Sequence, residues 1–350
     1  MILTYQYRIK NLEGLLNKQA KAVSYVWNFC NDRQKDALRF NRKWLTGFDL
    51  DKLTAGSSKE LGLHSSTINA VTAQYASSRA QKKKPYLRYR GKKSLGWVPL
   101  KGRELKRSGE DFIFAGTTFK VFYSRPLPEG KIKDGTNFSR DTQGNWYLNV
   151  VIEVTEAQQK PIVNGVGIDL GLKDFATLST GESIPARKVY CELEPELAVA
   201  QRAHKKKRIK AIHTKIANRR KDFQHKLSSA LVEDFEYIAV GNVNAARLAK
   251  TTMAKSVLDA GWSSFRRMLE YKSIMNGSWY EEVNEGYSTQ TCSQCGSVEG
   301  PKGVAGLGIR TWVCSCGCEH DRDVNAAKNI LHRSKFRIGQ DTPVEGIPAL

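Results

Sequence analysis

The chain has 350 residues, of which 40% are hydrophobic and 26% are charged. This length and composition are typical of a globular protein of two or three domains and exclude wholesale disorder. Lys and Arg number 56 against 35 Asp and Glu, which gives a formal net charge of +21. So large an excess of one sign repels itself in the free protein, and it predicts a polyanionic partner rather than a membrane surface.

The sequence also predicts where the protein works. No apolar run is long enough to span a bilayer, and the N-terminal MILTYQYRIKNLEG lacks the apolar core of a signal peptide. We therefore expect a cytoplasmic protein with no membrane association.

The first 160 residues predict helices inserted into a β-rich domain. Apolar residues at alternating steps of four and three predict a helix with one buried face: Leu16, Ala20, Val23, Trp27 and Cys30. A second helix is expected near residues 66–80. Between residues 111 and 154, the runs FIFAG, TFKVFYS and WYLNVVIEV predict short strands, which together with TYQYRI near the N-terminus form a small antiparallel barrel or sheet. Residues 155–164 are typical of a linker.

A basic run, KKKPYLRYRGKK, follows the second predicted helix. Its cations suit phosphates and its tyrosines suit stacking on bases, although a solvated charged loop has the same composition. The predicted nucleic-acid-binding residues of this run are Lys82, Lys83, Lys84, Tyr86, Arg88, Tyr89 and Arg90.

The second half of the chain alternates strands and helices. GVGIDLGLKDFATLSTGESI predicts a hairpin, residues 198–233 a long basic helix, YIAVGNV a buried strand, residues 256–275 another helix, and WYEEVNEG a further strand. This alternation predicts an α/β sheet with parallel members. The basic helix adds further candidate nucleic-acid-binding residues: Lys205, Lys206, Arg219, Arg220, Lys221 and His225.

Two acidic positions in this half predict metal chemistry. Asp169 lies in the apolar strand VGIDLG, where an unpaired carboxylate is costly to bury. Near the C-terminus, DRDVNAAKNIL begins a helix that Asp321 or Asp323 can cap. Capping explains one of the two aspartates, so Asp323 remains a candidate ligand.

Five of the seven cysteines fall within a short segment. Cys292 and Cys295 form a Cys-x-x-Cys knuckle suited to tetrahedral zinc, and Cys314 supplies a third ligand. Cys316, followed by a glycine as in the first knuckle, is assigned as the fourth ligand, with Cys318 as the alternative. Four protein ligands leave no open position for water, so the predicted zinc is structural.

Four motifs occur in order: GIDLGLKDFATLS, NRRKDFQHKLSSALV, YSTQTCSQCGS and HDRDVNAAKNIL. Together they resemble the TnpB family, transposon-encoded RNA-guided proteins related to type V CRISPR effectors. The resemblance implies an RNase-H-like (RuvC-like) α/β nuclease domain with an inserted zinc ribbon, and an N-terminal wedge-like β-barrel with an inserted helical domain. The implied domains are a wedge at 1–10 and 100–160, a helical recognition domain at 11–99, a nuclease domain at 161–290 and 319–335, a zinc ribbon at 291–318 and a tail at 336–350.

The resemblance also implies a reaction. Carboxylates of this family bind two Mg²⁺ ions and hydrolyse a DNA phosphodiester, and by motif Asp169 and Asp323 match the first and third ligands. The family's middle ligand is a glutamate at the end of the strand YIAVGNV, where this chain has Gly241. Either the nuclease is inactive, or another carboxylate takes that place.

The neighbouring strand offers such a carboxylate. If the strand ending at Gly241 runs parallel to WYEEVNEG, the carboxyl ends of both strands lie side by side about 4.8 Å apart. Glu285 stands at that end, while Glu282 lies deeper in the strand and is expected to point to the opposite face. We therefore predict Glu285 as the third catalytic carboxylate.

The implied partners are a guide RNA derived from the transposon end and target double-stranded DNA, in a prokaryotic cytoplasm near the nucleoid. The basic helix at 198–233 is expected to lie against the guide–target heteroduplex. A nuclease-inactive, RNA-guided DNA-binding protein is the alternative function, and a guide-independent transposase is a third. The cysteine cluster lies between Glu285 and Asp323 in the chain, so zinc is expected to bring these two carboxylates together.

Overall fold

The computed structural model describes residues 1–41, 43–302 and 305–335. The predicted tail at 336–350 lies outside these residues. The chain divides into a compact unit Met1–Thr155 and a second unit that begins at Glu156. The finer division of each unit into the domains implied by the resemblance stays a prediction. Among the described helices, none has both the length and the apolar character that crossing a bilayer requires.

The first unit contains four helices and nine strands among the described residues. Its helices are α1 (Glu13–Arg39), α2 (Gly47–Leu53), α3 (Ser58–Leu61) and α4 (Ser65–Gln81). Its strands are β1 (Ile2–Ile9), β2 (Trp97–Pro99), β3 (Lys106–Ser108), β4 (Asp111–Phe114), β5 (Thr117–Phe119), β6 (Val121–Phe122), β7 (Lys131–Ile132), β8 (Asn137–Arg140) and β9 (Trp146–Glu153).

The predicted antiparallel sheet of the first unit is confirmed. Strands follow the order β2-β8-β9-β1-β6, with β7 also paired to β9, and β1 runs antiparallel to β9 from Ile2 opposite Glu153 to Arg8 opposite Tyr147. Alternate residues of β9 are buried, so one face of this strand packs into the core. The apolar stripe predicted on α1 is buried there too, except for the half-buried Trp27.

One expectation for this sheet was wrong. The FIFAG run does not join β1 but forms a separate three-stranded sheet in the order β3-β4-β5. The reason is a two-residue turn between β4 and β5, in which Ala115 and Gly116 both have positive φ, 50° and 75°. Such a turn closes a tight hairpin, so this run pairs with its sequence neighbours.

The second unit contains an α/β sheet and a small ribbon. Its strands are β10 (Gly165–Leu170), β11 (Asp174–Leu178), β12 (Ser183–Pro185), β13 (Tyr237–Gly241), β14 (Trp279–Val283), β15 (Thr311–Val313) and β16 (Glu319–Asp321). Its helices are α5 (Val189–Arg202), α6 (Lys206–Asp234), α7 (Ala245–Leu248), α8 (Ala254–Ala260), α9 (Trp262–Asn276) and α10 (Arg322–Arg333).

The sheet of the second unit has the order β12-β11-β10-β13-β14. The predicted hairpin is confirmed, because β10 and β11 pair antiparallel. The predicted parallel members are confirmed as well: β13 runs parallel to both β10 and β14, with Gly241 opposite Val283. Their carboxyl ends therefore meet at one edge of the sheet.

Two predicted helices are each divided. The basic stretch at 198–233 consists of the end of α5 and all of α6, with a break at 203–205 where His204 has a φ of 50°. Lys205 thus precedes α6 rather than lying within it. The stretch at 256–275 is divided into α8 and α9 by Gly261, whose φ of 65° is accessible to glycine without strain.

Candidate metal-binding carboxylate site and cysteine cluster

Three carboxylates from three distant segments meet at the carboxyl edge of this sheet. Asp169 lies near the end of β10, Glu285 follows β14, and Asp323 lies in the first turn of α10. All three line one open cavity of about 560 Å³. The structure therefore brings together the carboxylates that the sequence and the resemblance singled out, while their catalytic roles stay predictions.

The electrostatics of this cavity favour a cation. Burial, together with the charges of Glu285 and Asp323, raises the pKa of Asp169 to about 7, against a smaller opposing effect of Arg322. Burial also raises the pKa of Glu285, which Arg266 partly offsets. A hard divalent cation would relieve this crowding of negative charge with the oxygen ligands it prefers, so the donor set fits Mg²⁺.

The absence of a side chain at Gly241 leaves space for the carboxylate of Glu285. A Cβ atom added at Gly241 would lie 2.8 Å from Glu285 Oε2 and 3.4 Å from Glu285 Cβ. Any larger residue at position 241 would therefore displace the glutamate. The carboxylate of Glu285 occupies the space into which a side chain at position 241 would extend.

Glu282 is directed away from this cavity. Its Oε2 accepts a hydrogen bond from Arg266 Nη1 at 2.9 Å, and its Oε1 accepts one from the Tyr280 hydroxyl at 3.1 Å. It does not line the cavity. This agrees with the choice of Glu285 over Glu282, although β14 ends at Val283 and Glu285 lies in the following turn rather than in the strand.

At the start of α10, one aspartate caps the helix and the other does not. Asp321 is the N-cap residue, and its Oδ1 accepts from the backbone N–H groups of Asp323 and Val324 at 3.0 and 2.9 Å. Asp323 is not needed for the cap, and its Oδ2 instead accepts from Arg310 Nη1 at 2.9 Å. The side chain of Asp323 therefore lines the cavity together with Arg310 instead of capping the helix.

Sequence reasoning missed two arginines of this cavity. Arg322 is buried, and its Nη1 donates to the Gly306 carbonyl at 2.7 Å. Its place between two aspartates was a usable signal. Arg310 follows a glycine-rich insertion and carried no signal, because its contact with Asp323 depends on how that insertion folds.

The cysteine cluster forms as predicted. The sulfur atoms of Cys292, Cys295, Cys314 and Cys316 all lie within 4.8 Å of one another. Each pair lies on a tight turn that ends with a glycine at positive φ, Gly296 at 80° and Gly317 at 86°. Such a set of four thiol ligands is suited to a metal such as zinc.

The structure distinguishes between the two candidates for the fourth ligand. Cys316 Sγ lies 3.8 Å from Cys292 Sγ, whereas Cys318 is outside the group of four. Cys318 contributes its carbonyl oxygen, which accepts from the Cys314 N–H at 2.9 Å and closes the second turn.

His320 is a neighbour of the cluster that sequence reasoning missed. Its Nε2 lies 3.0 Å from Cys292 Sγ, and its ring packs 4.7 Å from that of Trp312, centroid to centroid. The imidazole is buried. Since a ring nitrogen that carries a proton can donate to a thiolate, this contact would fix the orientation of Cys292.

The basic run after α4 divides into exposed and structural residues. Lys82, Lys83 and Lys84 are exposed. Tyr86 and Tyr89 are half-exposed, and Lys35 Nζ lies over both rings at 5.0 and 4.4 Å from their centroids. The cavity formed by this run has a volume of about 640 Å³, and its lining includes Trp27, Arg88, Tyr89, Lys92 and Lys93.

Arg90 differs from its neighbours. Its guanidinium lies 6.0 Å from the Trp27 ring and 5.7 Å from the Trp97 ring, and it donates to the Leu95 carbonyl at 2.7 Å. Burial lowers its pKa. Arg90 therefore has a structural role beside any contact with nucleic acid.

The candidate residues in α6 and immediately before it divide in the same way. Lys205, Lys206 and Lys221 are exposed. Arg219 pairs with Glu192 at 3.5 Å, and Arg220 donates to the Leu258 carbonyl at 2.8 Å. His225 is half-buried. The three lysines are therefore more accessible to a phosphate backbone than the two arginines.

Comparison with known proteins shows similarity to transposase and Cas12f1-like families over much of the second half of the chain. The "Probable transposase" family model OrfB_IS605 matches residues 149–252, and the "Cas12f1-like, TNB domain" model matches residues 262–330. These segments contain all three carboxylates, the first three motifs and all but the last residue of the fourth. The resemblance that the motifs indicated is confirmed.

Individual relatives agree with this assignment. The chain is 37% identical over 225 residues to a Streptomyces pristinaespiralis protein provisionally named as an RNA-guided DNA endonuclease, covering 60% of this chain and 55% of that protein. It is 25% identical over 216 residues to the CRISPR-associated endodeoxyribonuclease Cas12f1 of Sulfoacidibacillus thermotolerans, covering 54% and 50%. The chain thus spans about half the length of the curated relatives it matches.

A solved structure shows the same overall fold. A chain from the cryo-EM structure of the Cas12f1–sgRNA–target DNA complex superposes with a TM-score of 0.60 at 13% identity, covering 92% of this chain and 82% of that one.

Proposed function

We propose that the protein is an RNA-guided DNA endonuclease of a bacterial transposon, with a RuvC-like site formed by Asp169, Glu285 and Asp323. One observation carries the proposal: the carboxylate of Glu285 fills the space beside Gly241, the position at which the family resemblance implies a glutamate. The sheet supports an RNase-H-like assignment, since an antiparallel hairpin is followed by two parallel strands and the closing helix α10 packs on β10.

The three carboxylates would hold divalent cations, Mg²⁺ by preference. Bound metal would activate a water and stabilise the attacking and leaving oxygens of the scissile phosphate. The chain's own residues orient this chemistry. Asp321 caps α10, so the Asp323 side chain is not used for the cap, and Gly241 leaves room for Glu285. Arg310, which lines the same cavity, would face the phosphate oxygens.

The other components of the proposal follow from the charge and the cysteines. A guide RNA from the transposon end and target double-stranded DNA would supply the polyanion that a net charge of +21 requires. Cys292, Cys295, Cys314 and Cys316 would hold a structural zinc. The site of action would be the prokaryotic cytoplasm, near the nucleoid.

A decisive test begins with the complex of the chain and co-expressed transposon-end RNA. We expect it to cleave a matching duplex with Mg²⁺, and Glu285→Gln to reduce the rate at least a hundredfold because a neutral amide is a poor ligand for a hard cation. Glu282→Gln is the matched control, since Glu282 faces Arg266 and should leave cleavage near the wild-type rate.

A second arm tests the relocation itself. In the double variant Gly241→Glu with Glu285→Ala, the new side chain enters the space that Glu285 leaves, so cleavage should partly recover relative to Glu285→Ala. Guided binding with no cleavage by the wild type would instead select the nuclease-inactive alternative, which the loss of a carboxylate at position 241 favours. DNA strand transfer without RNA would select a transposase.

A further inference from the structure

The last turn of α10 contacts the turn that carries Glu285. Arg333 Nη1 donates to the Gly286 carbonyl at 2.6 Å and to the Asn284 carbonyl at 3.3 Å, and its Nη2 donates to Thr291 Oγ1 at 3.3 Å. One guanidinium therefore binds the carbonyl groups of the two residues on either side of Glu285.

Glu285 depends on such support because it lies outside the strand ladder. β14 ends at Val283, two residues before it. The Glu285 N–H reaches Asn242 Oδ1 only at 3.4 Å, and Tyr287 has a φ of 60°, a conformation that costs a non-glycine residue free energy. A side chain at position 241 would need no such support, because β13 is hydrogen-bonded to a neighbouring strand on each side.

The rest of α10 holds the same segment by a row of amides. Asn325 and Asn329, one helical turn apart, both donate from Nδ2 to the carbonyls of Ser288 and Thr291, at distances between 2.6 and 3.3 Å. Both asparagines are buried. Arg333 is the next residue in this row and the one that reaches the turn with the carboxylate.

We propose that Arg333 is a positioning residue for the relocated carboxylate: it binds the 284–286 turn so that Glu285 remains beside Gly241 and within reach of the metal site. The inference rests on the proposed function, since it takes Glu285 as a metal ligand. Under this proposal, α10 also sets the distance between two ligands. Asp323 lies in its first turn, and Arg333, which supports Glu285, lies in its last turn.

The test measures metal binding by the RNA-free full chain. Mn²⁺, a stand-in for Mg²⁺ that is detectable by electron paramagnetic resonance, is titrated into wild type, Arg333→Ala, Glu285→Ala and the double variant. We expect Arg333→Ala to weaken Mn²⁺ binding about tenfold, as for other residues that orient a ligand. His332→Ala, an exposed neighbour, is the matched control and should bind as the wild type does.

The double variant separates positioning from general stability. If Arg333 acts through Glu285, the double variant binds Mn²⁺ no more weakly than Glu285→Ala alone. Additive losses, or an unchanged affinity in Arg333→Ala, would overturn the inference. If Glu285→Ala itself leaves the affinity unchanged, the proposed site is wrong rather than the role of Arg333 within it. Melting temperatures of all four proteins show whether any loss reflects unfolding.

Discussion

At the scale of single residues, the carboxylate site shows what a sequence can and cannot specify. Asp169 and Asp323 were predictable because each lies in a motif with its own local signature. The position of Glu285 beside Gly241 was predictable from strand geometry, since two parallel strands end at the same edge and the turn after one lies next to the end of the other. Arg310 and Arg333 were not, because their contacts depend on the backbone path of turns that no periodic pattern describes.

The fourth zinc ligand gives a residue-scale prediction. Cys316→Ser should lower the zinc content of the purified chain well below one ion per molecule, because Cys316 Sγ is one of the four sulfur atoms of the cluster. Cys318→Ser should retain its zinc, since Cys318 acts through its carbonyl oxygen. Elemental analysis of both variants after dialysis checks this, and equal zinc loss in the two would show that the assignment of Cys316 is wrong.

At the scale of elements, α10 connects the sheet of the second unit to the segments that carry the candidate ligands. It packs on β10, carries Asp323 and binds the segment between Glu285 and the first cysteine pair. Two alanines, Ala326 and Ala327, are fully buried where it meets the sheet. The sequence predicted that zinc brings Glu285 and Asp323 together. The hydrogen bonds from Asn325 and Asn329 to the Thr291 carbonyl also connect α10 to this segment, and they do not involve the metal.

The contact between α10 and β10 can be tested by adding one methyl group at Gly167. A Cβ atom on Gly167 would lie 2.1 Å from the Ala327 carbonyl oxygen and 2.9 Å from Leu331 Cβ, so the helix would have to move. We expect Gly167→Ala to destabilise the second unit by about 3 kcal/mol, or roughly 6–12 °C in Tm. Calorimetry checks this against Gly308→Ala, an exposed position whose added Cβ meets no atom within 4 Å. A smaller effect at Gly167 than at Gly308 would contradict the packing.

The elements also show where periodicity fails as a predictor. The strands around the site were predicted because apolar runs bounded by turns have few alternatives. The break at Gly261 was not, because the apolar spacing continues across it while the backbone takes a positive φ there. The break at His204 was not either, because residues 204–208 are all basic and the apolar spacing gives no signal in that stretch. A periodic pattern predicts which face is buried but does not reveal a local change in backbone direction.

At the scale of the whole molecule, the net charge of +21 implies binding that depends steeply on salt. The exposed lysines of α6 are the cations best placed to contribute, since the arginines of that helix already contact groups within the chain. Cations that contact phosphate release condensed counterions, whereas cations held in ion pairs do so less.

This difference predicts the behaviour of two lysines on one helix. Lys221→Gln should lower the affinity for a matching duplex in the RNA complex and reduce the slope of log K against log salt by about 1. Lys226→Gln should change the slope less, because Lys226 pairs with Asp222 at 2.8 Å. Fluorescence anisotropy at several salt concentrations measures both slopes. A greater change for Lys226 than for Lys221 would exclude this face of α6 as the contact.

Gly241, which stands where the resemblance implies a glutamate, has a consequence for how such proteins are recognised. A survey that requires an acidic residue at the end of β13 would classify this chain as inactive, although a carboxylate from the adjacent segment stands in the same space. Catalytic sites of this kind are better compared by the volume that each functional group occupies than by its place in an alignment. Under that criterion, a glycine at the aligned position of a metal ligand becomes a reason to look for an acidic residue in the neighbouring turn.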